Sequence, residues 1–82
     1  MVMVDVFVPA VGKEYDFHLD EEVRIGMIIE EIAEMIAHKE HTEIVGEMQK
    51  LLLCDRDSQS ILQTDLSLQE CGIATGAKLI LV

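Results

Sequence analysis

The stretch from Val23 to His38, VRIGMIIEEIAEMIAH, limits what this chain can fold into more than any other. At the helical step of about 100° per residue, Met35, Ile28, Ile32, Ile25, Ile36, Ile29 and Ala33 fall on one arc about 160° wide. Arg24, Glu30, Glu31, Glu34 and His38 fall on the other side. A helix divided in this way lays a broad apolar face on a sheet and leaves the other in water. The rest of the chain must therefore supply that sheet.

The flanking segments carry strand periodicity. Val2, Val4, Val6 and Val8 alternate with Met3, Asp5 and Phe7, which is the pattern of a half-buried strand. Pro9-Ala10-Val11-Gly12-Lys13 breaks it, and a second alternation places Tyr15, Phe17 and Leu19 inward. The two runs read as a β-hairpin. Asp20 is the best capping side chain ahead of the helix, although Gly26 points to a regular start nearer Ile25. The helix is predicted over about Ile25 to His38. A weaker helical pattern follows from Thr42 to Gln49.

Leu51 to Cys54 is short and apolar, and is expected to be a central strand filled on both faces. Asp55 to Ser60 is a turn cluster, Ile61-Leu62 a brief strand, and Thr64 or Asp65 a cap for a single turn over Leu66 and Leu68. Ala77 to Val82 is the clearest strand. The predicted order is strand, strand, helix, strand, short strand, strand, within one domain spanning residues 1–82 and without repeats or linkers.

Composition removes several function classes. Sixteen acidic residues against six basic give a net charge of −10, which opposes phosphate neutralisation and so excludes a nucleic-acid role. With one Tyr, two Phe and no Trp, stacking platforms for single strands are missing too. No window approaches the roughly 20 apolar residues of a membrane span, so direct membrane insertion is not expected. The N-terminus MVMVDVFV lacks the basic start of a secretion signal. Cys54 and Cys71 are accordingly read as buried, reduced thiols of a cytoplasmic protein.

Catalytic and cofactor chemistry finds little support. Glu34, His38 and His41 have helical spacing for a metal, but a solvated helix end with cations at its negative terminus explains them better. Asp20, Glu21, Glu22, Glu30, Glu31 and Glu34 read as a solvated acidic face rather than a cleft pair. Neither cysteine has a base at a telling spacing. No catalytic residue, cofactor or metal is expected.

A hairpin, a crossing helix and three later strands closing on the first make the β-grasp arrangement, an α+β fold with a mixed sheet of four to five strands. Here the chain resembles ubiquitin. Ser67 to Val82, SLQECGIATGAKLILV, aligns without a gap to ubiquitin's last turn and final strand, and Gly12-Lys13 followed by Tyr15, Phe17 and Leu19 matches its first hairpin. Within that superfamily it is most similar to the YukD-like proteins, small bacterial ubiquitin-like accessory proteins of type VII secretion systems. The features are its length, acidic first half, Val-rich first strand, helix VRIGMIIEEIAEMI and stop on the last strand.

This resemblance implies a protein-binding adaptor that docks on a component of the secretion machine. Ubiquitin binds partners through its open sheet face. The corresponding face here is expected to carry Ile80 and Val82, extended by Phe7 and by Leu53 or Leu52, with self-association into a homodimer as another use. The alternatives are a ubiquitin-like modifier or sulfur carrier, and a metal-linked or redox regulator using His38 and His41 or the cysteines. The modifier is disfavoured because the sequence stops at Val82 without the Gly-Gly tail that activation of the carboxylate requires.

Overall fold

A computed structural model describes residues 1–41 and 51–82. The amphipathic segment forms α1 (Ile25–Glu40), which buries Ile25, Ile28, Ile29, Ile32, Ala33 and Ile36. Met35 departs from the expected arc. It sits at the arc's edge, where the sheet ends, and is 45% exposed. The helix also runs past His38 to Glu40, because His41 adopts the left-handed conformation (φ 53°) and its N–H bonds back to the carbonyls of Ala37 and His38.

The N-terminus of α1 has no side-chain cap. Arg24 occupies the N-cap in an extended conformation, and the first N–H groups are satisfied by a distant loop: Ile25 N donates to Leu66 O at 2.8 Å and Gly26 N to Thr64 O at 3.0 Å. A Cβ at Gly26 would sit 3.4 Å from the Thr64 carbonyl oxygen, an ordinary van der Waals contact, so the approach does not itself require glycine. Asp20 caps only the preceding turn, accepting from Glu22 N at 2.9 Å.

The sheet comprises β1 (Val2–Val8), β2 (Lys13–Leu19), β3 (Leu53–Asp55), β4 (Ser60–Ile61) and β5 (Lys78–Leu81), in the spatial order β2-β1-β5-β3-β4. β1 pairs antiparallel with β2 and parallel with β5, and β5 pairs antiparallel with β3, so the sheet is mixed. Val8 O accepts from the N–H groups of Val11 and Gly12 to close the hairpin, with Gly12 at φ 67°. Val4, Val6, Val8, Leu53, Leu79 and Leu81 form the floor of the core under the isoleucines of α1. This is the β-grasp fold.

Two local readings are corrected. β3 is interior, paired with β5 on one side and β4 on the other, but it is not filled on both faces: only its Leu53 side faces the core. The turn before β5 is capped by Ser67 rather than Thr64 or Asp65. Ser67 Oγ accepts from Glu70 N at 3.1 Å and a Glu70 carboxylate oxygen accepts from Ser67 N at 3.0 Å, a reciprocal capping box. The weaker helical pattern from Thr42 to Gln49 falls outside the described residues.

Candidate protein-docking face

Side chains of a strand alternate between faces, so burial of Val4, Val6, Val8, Leu79 and Leu81 turns their neighbours to the opposite side of the sheet. Strand register then decides which of these meet. Phe7 lies beside Ile80 across the parallel β1–β5 ladder, Ile80 opposite Cys54, and Cys54 opposite Ile61. The result is an apolar row crossing four strands on the face away from α1. Phe7, Ile80 and Cys54 are half-buried by their neighbours, while Ile61 is 61% exposed.

Val82 and Leu52 extend the row at the end of β5. Their backbones pair in both directions, Leu52 N to Val82 O at 2.6 Å and Val82 N to Leu52 O at 2.9 Å, and both side chains are exposed. Of the residues expected on this face, Phe7, Ile80 and Val82 are placed there. Leu53 is not. It is fully buried opposite Leu81, because the register with β5 turns it to the core and turns Leu52 outward. Cys54 and Ile61 were not expected here. The apolar surroundings of Cys54 and Cys71 in sequence predict buried thiols, whereas both are half-buried free thiols. The cross-strand partner of Ile61 is set by a turn whose length the pattern alone did not specify.

Charges flank the row. Asp5 faces Asp16 on one side and Lys78 on the other, and Arg56 N bonds to Lys78 O at 2.9 Å, so acids occupy the β2–β1 half and bases the β5–β3 half. Asp5 beside it holds the Asp16 carboxyl above its ordinary pKa, because the protonated form can share a hydrogen bond with Asp5 and the charged form is repelled by it. Arg56 reaches from beyond β3 to Glu14 on β2, with Nη1 3.1 Å from Oε1, so this exposed ion pair spans β1 and β5. Such a pair is weak and salt-screened, and a ligand arriving on the face can displace it.

At the hairpin end of the helix, Lys13 Nζ donates to Glu40 Oε1 at 2.7 Å. That bond lowers the Glu40 pKa and raises that of Lys13. Burial raises the Tyr15 phenol, and the nearby Glu40 carboxylate adds to the effect. These shifts arise from structural contacts around the end of α1. His38 sits in the last turn of α1, but His41 leaves helical geometry, which breaks the spacing a Glu34, His38 and His41 metal site would need. Among the described residues no three His, Cys, Asp or Glu side chains converge in a metal-holding group. No described helix is long and apolar enough to cross a membrane.

Solved structures share this architecture. The ubiquitin-like domain of EccD5 from Mycobacterium xenopi superposes with a TM-score of 0.77 at 19% identity, covering 99% of this chain and 91% of that one. Caldiarchaeum subterraneum ubiquitin gives 0.74 at 14% identity, covering 98% and 89%. A ubiquitin-like domain from Arabidopsis thaliana gives 0.72 at 17% identity, covering 99% and 74%. At these identities the likeness establishes the ubiquitin-like fold. A comparison with curated protein sequences returns no match. The family model described as "WXG100 protein secretion system (Wss), protein YukD" matches residues 2–81, nearly the whole length of this ubiquitin-like fold, and the chain therefore belongs to the YukD family of secretion-system proteins.

Proposed function

We propose that this protein is a non-catalytic, cytoplasmic adaptor of the WXG100 secretion system, which holds a protein component of that machine on its open sheet face. The observation that carries the reading is the continuous apolar row Phe7–Ile80–Cys54–Ile61, prolonged by Leu52 and Val82. An apolar cluster of this kind, rimmed by charge, is what a protein interface presents. The rim adds orientation: a partner with bases over Asp5 and Asp16 and acids over Lys78 and Arg56 docks in one sense only. Family membership supplies the machine, and the face supplies the mode of action.

Ile80→Glu tests this directly. A carboxylate in the middle of the row has to be desolvated against apolar atoms, which costs at least about 100-fold in affinity. The wild-type protein on resin, exposed to detergent-solubilised lysate of its own organism, should retain a membrane component or the ATPase of the system. The isolated component should then bind wild type and not the folded Ile80→Glu variant. Equal binding by that variant rules the face out. Retention of an adenylating enzyme, or covalent adducts on other proteins, would make the protein a modifier and overturn the reading. Concentration-dependent dimerisation lost in Ile80→Glu would assign the face to self-association.

A further inference from the structure

β2 lies at the end of the sheet, and among the described residues no strand pairs with its outer edge. Seven residues of extended backbone, Lys13–Leu19, therefore present alternate N–H and C=O groups outward. Beside this edge, on the helix side, run two adjoining cavities of about 500 Å³ and about 260 Å³ between β2 and α1. Met35 lines both, and Phe17 and Leu19 contribute to their walls. Met35, left uncovered at the edge of the sheet, exposes its side chain into this groove.

We propose that the free edge of β2 and the groove along α1 form a second docking surface, whose occupant is an extended segment of a partner protein with alternating apolar and basic side chains. The open ladder asks for a strand, and pleating sends every second side chain of an added strand to the helix side, over Phe17 and Met35. The rim sets the charge. Glu31 and Glu34 on the helix and Asp20 just past the strand surround the groove, Glu14 and Asp16 lie on the side of the edge to which the alternate, basic side chains of an added strand point, and the nearby lysines are engaged, Lys39 over the Tyr15 ring at 5.3 Å and Lys13 on Glu40. A second copy of this chain does not fit. Pairing two β2 edges would bring the carboxylates of Glu14, Asp16 and Asp20 from both copies together, and like charges across strands repel. The edge and its groove are distinct from the apolar row Phe7–Ile80–Cys54–Ile61, and the proposal does not depend on that row's role.

The test is an NMR titration of the ¹⁵N-labelled protein with an acetylated peptide alternating Lys with Val and Ile over seven residues. A peptide of the same charge with Pro at two adjacent central positions, one of which must face the β2 edge in any register, cannot complete the ladder and serves as control. The expected result is shift changes along β2 and the adjoining face of α1, slowed amide exchange in β2, and weakening with added salt. Glu31→Lys with Glu34→Lys should weaken binding about tenfold or more, and Met35→Lys should do the same by placing a cation in the groove. All three positions are exposed, so these variants are expected to fold. Ile80→Glu should bind the peptide like wild type, which separates this surface from the first. Equal binding of the Pro peptide, shifts centred on Phe7 and Ile80, or no change at about 1 mM peptide would each overturn the proposal.

Discussion

Leu52 and Leu53 are adjacent and chemically identical, yet the structure gives them opposite tasks. Leu53 is fully buried against the core side of the sheet, whereas Leu52 is 38% exposed beside Val82. Truncating Leu53 to Ala removes three carbons from water-free surroundings, a transfer loss of about 2.4 kcal/mol at about 0.8 kcal/mol per carbon. The cavity left between Leu81 and α1 raises this to about 3–4 kcal/mol. An 82-residue domain has a net stability of only about 4–12 kcal/mol, and Leu53→Ala is expected to lower Tm by about 12–32 °C. Leu52→Ala opens no cavity and should cost about 1–1.5 kcal/mol. Equilibrium urea unfolding followed by circular dichroism reads both, from the midpoint at unchanged slope. In the docking assay the order inverts: Leu52→Ala weakens binding, and folded Leu53→Ala does not. If Leu52→Ala proved the more destabilising, β3 would be shifted by one residue, since a one-residue slip exchanges the faces of a strand. The docking face as described would then be wrong.

Two further perturbations test the electrostatics and the turn before β5. Asp16→Asn should raise Tm at pH 7 by about 2–4 °C, because it removes a like-charge pair across strands. The sign with pH follows from the raised carboxyl. The folded state binds this proton more tightly than the unfolded chain, so the repulsion is present above the raised pKa and relieved as pH falls through it. The gain from Asp16→Asn should therefore shrink under acid, and an equal gain at pH 7 and pH 3, read by thermal melts, would refute the Asp5 contact as its cause. Ser67→Ala breaks one arm of the capping box with Glu70 and should cost about 1 kcal/mol, a Tm loss of about 4–8 °C; an unchanged melt would show that the turn is held by Leu68 and Ile73 packing alone.

What could be read from the chain was whatever rests on local periodicity. The isoleucines of α1 recur at helical spacing and the valines of β1 at strand spacing, because a side chain's burial follows from its phase along a regular element. Element order and the resemblance of the last sixteen residues to ubiquitin then led to the right fold, and the length, acidic first half, Val-rich first strand, helix VRIGMIIEEIAEMI and stop on the last strand to the right family. Phe7, Ile80 and Val82 were legible as outward residues for the same reason, since each lies in a strand of clear phase or at its end.

The misreadings share a cause, which is dependence on partners distant in sequence. Leu51 to Cys54 is too short for its own phase to be evident, and pairing with β5 alone decides that Leu53 turns in and Leu52 out. The start of α1 shows no capping side chain because its donors are met by the backbone of residues 64 and 66, some forty positions away. Ile61 looks like an isolated apolar residue until the Asp55–Ser60 turn sets it opposite Cys54. Met35 looks like core until the sheet ends beneath it at β2. Sequence determined the elements, their order and the apolar side of each, since those follow from bonds and neighbours a few residues apart. Only the tertiary structure decided which side chains share the open face and where the sheet stops, because register and edges are properties of pairing between strands rather than of any one strand.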